Sequence, residues 1–381
     1  IVRVDFNVPL DENSNVTDNS RIKASLPTVE KLLSDGAKII LMSHLGRPSG
    51  VEERFSLNNI KSEVEKVFKL KIKFAKDIHS PLTEKKVKDL KPNEILLLEN
   101  LRFYKGEKQG DHFFAKRLAS FADCYVNDAF GTSHRAHAST TIIAQFFKNT
   151  KFSGFLIDKE LRSIKKVLED GKNPILAILG GSKVSSKISI INSLIEIADD
   201  IIIGGGMAFT FIKALGGEIG NSICEIDRLD EALGILKTAN KKKVNIHLPV
   251  DVICSKSLLD NQSIKTFMIK EIPRNWEGFD SGPESLKAFH EIILKSKTIL
   301  WNGPVGVFEE DRFSNGTVFV GNSIAKSTKN GAFSLVGGGD SVSAAKKFNF
   351  QDKVSYISTG GGAMLESLEG KELPGIKALS D

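Results

Sequence analysis

At 381 residues the chain is too long for one comfortable core, and two domains are expected. Its formal charge of +6 comes from lysines spread along the chain, which suits acidic small molecules and argues against a dedicated nucleic-acid surface. The longest apolar run, Ile201 to Ile212, is too short and too rich in glycine to cross a bilayer.

The pattern alternates from the start. IVRVDFNV, from Ile1, reads as a strand, and RIKASLPTVEKLLSDG as a helix that closes on Gly36. AKIILMSH reads as a strand. SLNNIKSEVEKVFKL follows as an amphipathic helix with Ile60, Val64, Val67 and Phe68 on its apolar face. EILLLEN is a buried strand, HFFAKRLASFA a helix and CYVNDAF another strand. Such alternation indicates βαβ units and a mostly parallel sheet. KELRSIKKVLE, Lys159 to Glu169, is a charged helix without much apolar face, readable as a bridge between halves or as a surface helix. The alternation then resumes up to Thr359, interrupted from Cys254 to Gly282 by polar sequence that reads as loops and short strands. Cys124, Cys224 and Cys254 have no metal spacing and read as buried thiols of a reducing compartment. The chain opens inside a strand, at Ile1, without Met, so residues are expected upstream and a missing targeting signal proves little.

In the first half the strand ends deliver charge. Asp5 and Asn7 lie near the end of the first strand and Arg21 follows across a polar loop. His44 and Arg47 follow LMS, Arg102 follows LLLEN, and Arg135 follows YVNDAF. Parallel strands would converge these on one edge, where guanidinium forks can grip carboxylate or phosphate oxygens in pairs. Any one arginine reads equally well as an exposed ion-pair partner. Five cationic or imidazole groups at successive strand ends point instead to a multiply charged ligand such as a phosphorylated acid. His134 and His137 are spaced like a metal pair but have no third ligand at suitable spacing, so they read as loop supports.

In the second half the strand ends deliver glycines. ILAIL runs into Gly180-Gly181-Ser182-Lys183, III into Gly204-Gly205-Gly206, FSLV into Gly337-Gly338-Gly339-Asp340-Ser341, and YIST into Gly360-Gly361-Gly362, each followed by a helical pattern. A lone glycine triplet is a common close-packed turn. Four such junctions suggest helix N-termini lining one crevice, where backbone N–H groups suit phosphate and Asp340 suits a metal held by those phosphates. With Lys183 and Lys187 these are fittings for a nucleotide with Mg2+. An anion pocket facing a nucleotide site indicates phosphoryl transfer, which is mostly positioning and charge neutralisation. G-x-x-x-x-G-K-[ST], H-R-D and G-x-G-x-x-G are absent, and no evident base stands ready for a hydroxyl acceptor. That gap favours a carboxylate acceptor and an acyl phosphate. A nucleotide-linked oxidoreductase would need a dinucleotide fingerprint, and a non-catalytic anion- or RNA-binding protein would need a basic stripe with aromatics.

The chain resembles phosphoglycerate kinases over its length, through VRVDFNVPL, SHLGRP, LLLENLRFY, YVNDAFGTSHRAHAS, ILGGSKV, IIIGGGMAFTF, WNGPVGVFE, VGGGDS and STGGGAMLESLEGKELPG, in the family's order. The resemblance implies an α/β fold of two Rossmann-like three-layer lobes with mainly parallel sheets, joined by an interdomain helix. Residues 1–152 would form the phosphoglycerate lobe, completed by a tail of 363–381; 153–170 would be the helix and hinge; 171–362 would bind nucleotide. It implies reversible transfer from 1,3-bisphosphoglycerate to ADP, giving 3-phosphoglycerate and ATP, with Mg2+ and hinge-bending closure. Asp5, Asn7, Arg21, His44, Arg47, Arg102 and Arg135 would hold phosphoglycerate, and Arg21 and Lys183 would touch the phosphoryl group in flight. Lys187 would bind nucleotide phosphates, Asp340 the metal, and Gly338, Gly339 and Ser341 would cradle phosphate, with Gly360 to Gly362, centred on Gly361, supplying N–H groups on closure. Gly205, Gly206, Gly278, Asn302 and Pro304 would border the adenosine, with Glu309 on the ribose. Ser182, Ser186 and Ser341 depart from the family's usual Ala, Asp and Thr. The implied protein is a cytoplasmic monomer, with the plastid as the alternative compartment, and has neither nucleic-acid nor membrane partners.

Overall fold

A computed structural model gives the fold and describes residues 1–260 and 262–380. The chain divides into two units, Ile1–Arg162 with the tail from Glu372, and Ser163–Lys371.

The first unit contains β1 (Val2–Val4), α1 (Ser20–Ser34), β2 (Ile39–Met42), α2 (Asn58–Phe68), β3 (Ile72–Ala75), α3 (Pro81–Lys88), β4 (Ile95–Leu98), α4 (Lys105–Gln109), α5 (His112–Ala119), β5 (Tyr125–Asp128) and β6 (Lys151–Ser153). Helix α6 (Phe155–Leu168) follows and carries the division between units within it. The strands pair in the order β3-β4-β2-β1-β5-β6, parallel throughout. Successive residues of a strand face opposite sides, so a strand covered on both sides must be apolar at every position. IILM and ILLL meet that demand. Ile40, Met42, Leu96 and Leu98 pack with Phe114 and Leu118, while Ile39, Leu41, Ile95 and Leu97 pack with Ile22, Val29 and Val64.

Two elements and the burial of the thiols differ from the expectation. The first strand stops at Val4, because Phe6 N–H turns to Ser43 Oγ at 2.9 Å and Val8 N–H to the Phe6 carbonyl at 2.8 Å. Helix α6 begins at Phe155 rather than Lys159, since Thr28 Oγ1 accepts Phe155 N–H and Asp128 Oδ1 accepts Leu156 N–H, each at 2.9 Å. It also has an apolar stripe after all, in which Ile157, Ile164 and Val167 are buried. Of the three thiols expected to be buried, Cys254 is, Cys224 is half-buried and Cys124 is exposed in the loop that enters β5.

The second unit runs β7 (Ile175–Leu179), α7 (Ile188–Ile195), β8 (Asp200–Ile203), α8 (Met207–Ala214), β9 (Glu218–Ile219), α9 (Leu229–Lys242), β10 (Asn245–His247), β11 (Asp251–Ser255), β12 (Lys265–Met268), β13 (Glu271–Ile272) and β14 (Glu277–Ser281). It continues with α10 (Pro283–Lys295), β15 (Thr298–Asn302), α11 (Asn315–Lys329), β16 (Phe333–Val336), α12 (Gly339–Lys347), β17 (Tyr356–Ile357) and α13 (Gly362–Leu368), before α14 (Pro374–Ser380) rejoins the first unit. Its main sheet is parallel in the order β10-β8-β7-β15-β16-β17. All four glycine junctions therefore leave the same sheet at its C-terminal edge. Strand β7 has β8 on one side and the much later β15 on the other, which makes their shared crevice the switch point where α/β sheets bind ligands. Much of the polar stretch after Cys254 forms a small antiparallel sheet, β12-β11-β14. No helix among the described residues is long and apolar enough to cross a membrane.

Candidate active site

In the first unit, β4, β2, β1 and β5 are adjacent, so the residues just past their C-terminal ends gather. Arg21, in the first turn of α1, reaches back to β1 and places Nη1 2.6 Å from Asp5 Oδ2. Asp5 Oδ1 accepts Asn7 N–H at 3.3 Å, and Asn7 Oδ1 accepts Gly46 N–H at 2.8 Å. Arg102 Nη1 donates to the Gly46 carbonyl at 2.5 Å, so the loop bearing His44 and Arg47 is held on both sides of one glycine. That glycine is required: its φ is +64°, and a Cβ would enter the Phe55 ring.

The charges around this edge are mostly of one sign. His44 is buried and held well below the ordinary imidazole range, by burial first and then by Arg3, Arg102 and Arg21. Burial, followed by Arg3 and Arg135, lowers the Arg102 guanidinium to about 10. His137 falls to about 4 through burial, then Arg3, Arg102 and Arg135. Cations that depress one another are relieved by an anion between them. Arg102 also has a buried Nε–H with no acceptor among the described residues, a donor that a bound oxyanion would satisfy. Arg47 and Arg135 are exposed, and Arg135 directs Nε to His134 Nε2 at 3.1 Å. Arg47 is not among the charges that act most strongly on His44 or Arg102.

Arg3 escapes the sequence reading because it sits between Val2 and Val4, where alternation alone would assign it to a sheet face. It is wholly buried and contacts His44. A long cation inside an otherwise apolar strand was the available signal, and it does not name a partner.

In the second unit, Gly180, Gly205 and Gly303 bring three loops into backbone contact at the β7–β15 switch point. Lys187, at the start of α7, is half-buried and donates Nζ to Asn302 Oδ1, while Asn302 Nδ2 donates to the Gly337 carbonyl at 2.7 Å. Burial lowers the Lys187 ammonium, and Asp340 partly offsets this. Gly338, at φ +91°, caps α12; Gly339 and Asp340 lie in its first turn, and the buried Ser341 Oγ accepts Gly303 N–H at 2.5 Å. Lys183 is exposed on the loop after β7, and Ser186 Oγ donates to its carbonyl at 2.9 Å, a bond that an Asp there could not donate. Gly361, at φ +50°, precedes α13.

Beside this corner lies a cavity of about 320 Å3, whose walls include Gly205, Gly206, Gly278, Pro304, Glu309 and Asp340. Its apolar walls come from Phe209, Ile223, Val252, Ile269 and Phe279, which sequence reasoning did not single out because they read as ordinary core. Asn302 does not line it; its buried amide joins Lys187 to the turn before α12 instead. Lys347, in the last turn of α12, donates to the carbonyls of Phe308 and Glu309 at 3.0 and 3.1 Å, so the turn bearing Glu309 is tied to α12. Among the described residues no three His, Cys, Asp or Glu side chains gather into a metal site. The single Asp340 carboxylate suits an ion that keeps its waters and is carried by nucleotide phosphates.

The family profile described as phosphoglycerate kinase matches residues 1–371. The chain belongs to the phosphoglycerate kinase family. A phosphoglycerate kinase of Porphyromonas gingivalis is 50% identical over 402 residues, covering 99% of this chain and 96% of its own length. The cytosolic phosphoglycerate kinase of Nicotiana tabacum is 47% identical over 380 residues, covering 100% and 94%. The solved phosphoglycerate kinase of Coxiella burnetii superposes with a TM-score of 0.90 at 40% identity, covering 100% of this chain and 95% of that one. Phosphoglycerate kinases are phosphotransferases that act on phosphoglycerate and ADP or ATP, and their two Rossmann-like lobes match the two parallel sheets seen here.

Proposed function

We propose that this chain carries out the phosphoglycerate kinase reaction with phosphoglycerate held by the first unit's cationic edge and nucleotide held at the second unit's glycine corner. The observation that carries the reading is the β7–β15 crevice, where Lys187, Asn302 and the start of α12 adjoin a cavity with Asp340 on its wall. Asp5 orients Arg21, Asn7 and Arg102 fix the His44–Arg47 loop, and Arg102 and Arg135 add charge for the acid's phosphate or carboxylate. At the other site the apolar walls take the base, Glu309 the ribose, and Lys187 with the N–H groups of α12 the phosphates. Asp340 would hold Mg2+, which neutralises phosphate charge as the phosphoryl group moves.

No side chain here is needed as a general base, because a carboxylate acceptor has no proton to lose. Arg21 and Lys183 steady the transferring group, and hinge bending at α6 is the motion that accompanies transfer in this reading. A monomer suffices for this scheme, since every named group belongs to one chain. Unpaired thiols suit a reducing compartment, the cytoplasm or the plastid as its alternative.

The test is a coupled assay with 3-phosphoglycerate, ATP and Mg2+. Turnover is expected that vanishes on chelation and returns with added Mg2+, and Asp340→Ala should raise the Mg2+ concentration needed. Magnesium-independent turnover, or an unshifted requirement in Asp340→Ala, would contradict the assignment.

A further inference from the structure

We propose that Arg3 is a positioning residue that fixes the tautomer of His44, leaving Nε2–H as the one donor this imidazole offers a ligand. The proposal rests on the reading of His44 as a phosphoglycerate contact.

A guanidinium can only donate hydrogen bonds. Arg3 Nη2 lies 3.1 Å from His44 Nδ1, so Nδ1 must present its lone pair and the ring proton must sit on Nε2. Arg3 cannot easily be elsewhere. It is wholly buried, its Nη1 donates to the Val4 carbonyl, and its Nε donates to Ser139 Oγ at 2.9 Å. Ser139 Oγ in turn donates to Glu107 Oε1 at 2.6 Å, and Ser139 N–H donates to Glu107 Oε2 at 3.1 Å. Glu107 is 1% exposed; burial raises its carboxyl, and Arg3 and the two bonds from Ser139 oppose that rise. At the end of the chain Glu107–Ser139–Arg3–His44 the guanidinium can only donate, so His44 Nδ1 can only accept. Moving the His44 proton to Nδ1 would set two donors face to face.

The same arrangement keeps His44 neutral. The groups acting on it are Arg3 on β1, Arg21 on α1, Arg102 after β4 and His137 after β5, and all but His137 are fixed cations. Burial and these cations hold the ring far below its ordinary titration range, and His137 does not offset them. The imidazole therefore offers a ligand the same single donor at pH 6 and pH 8.

The experiment is long-range 1H–15N correlation on full-length protein labelled at histidine, without substrate, with His44 assigned by its loss in His44→Gln. A pyridine-type Nδ1 and a pyrrole-type Nε2, unchanged from pH 6 to 8, are expected. A protonated Nδ1 or a ring that titrates in that range overturns the proposal, and this part needs no variant of Arg3. Arg3→Lys loses the planar fork that reaches Ser139, Val4 and His44 from three separate nitrogens. Its ring should show mixed tautomers, and the KM for 3-phosphoglycerate should rise about three- to tenfold with the KM for ATP unchanged. If Arg3→Lys does not fold, Ser139→Ala keeps the charge and removes the brace, with a smaller change in the same direction expected. An unchanged ring and unchanged KM in the folded variant refute the positioning role. A wild-type ring in the expected state, with His44→Gln leaving the KM for 3-phosphoglycerate unaltered, would instead remove His44 from the substrate site while the tautomer assignment stands.

Discussion

Arg21 and Asp5 form an ion pair with one buried partner and one partner about a third exposed, the arrangement expected where a carboxylate aims a cation rather than cancels it. Removing the Arg21 guanidinium should lower kcat by on the order of a hundredfold with a modest change in KM, because its task is felt chiefly in the transition state. Steady-state kinetics of Arg21→Ala check this, and an unchanged kcat would refute the role. Asn302 presents a different case. Its amide accepts from Lys187 and donates to Gly337, so Asn302→Ala should release the lysine and raise the KM for ATP by about tenfold, with little effect on the KM for 3-phosphoglycerate. Equal effects on both substrates would count against it. The sequence made much of this site legible, because His44 and Arg102 each follow an unmistakable apolar run, as do the glycines, whereas Arg21 lies across a polar loop. The sequence could not disclose that the Asn302 amide joins Lys187 to Gly337, since WNGP is compatible with any strand end. Arg3 was hidden by the same limitation: burial of a charge depends on partners such as Ser139 and Glu107, distant in sequence, and no local pattern encodes them.

At the level of elements, α6 is fastened to the first unit through Asp128, which accepts Leu156 N–H at 2.9 Å and Ile157 N–H at 3.4 Å. Burial raises this carboxyl to about 6, despite the bonds from Thr28 and the helix N–H groups. Between the unfolded value near 3.8 and about 6, the folded chain therefore holds a proton that the unfolded chain has lost. The group's contribution to stability is full below that window and declines as pH rises through it. Asp128→Asn keeps an acceptor and removes the charge, so it should be the more stable protein at pH 8, by at most about 3 kcal/mol, with the difference vanishing near pH 4. Urea unfolding at several pH values measures this; a variant less stable at pH 8 would contradict it. Lys347 makes a comparable link between elements. Lys347→Ala should loosen the Glu309 turn and raise the KM for ATP about threefold, while kcat changes little. A loss confined to kcat would point to another role. The elements that the sequence disclosed least are the edge strands. KIKFA and KFS lie at the two ends of the first sheet, where one flank needs no partner and the apolar signature weakens to a mixed pattern. Central IILM and ILLL were plain because both of their faces are covered.

For the whole molecule, the proposal that matters is that Arg21 and Lys183 serve one phosphoryl group. Length and the change from charged to glycine-rich strand ends set the expectation of two units, and the chain divides within α6 and again before Glu372. A double-mutant cycle tests the claim most directly, with kcat measured for wild type, Arg21→Ala, Lys183→Ala and the double variant in the 3-phosphoglycerate and ATP direction. Residues that stabilise the same transferring group do not act independently, so each single variant should fall by on the order of a hundredfold and the double variant by far less than the product. Losses that multiply in full, or a kcat left intact in either single variant, would show that the two groups do not meet on one phosphoryl group.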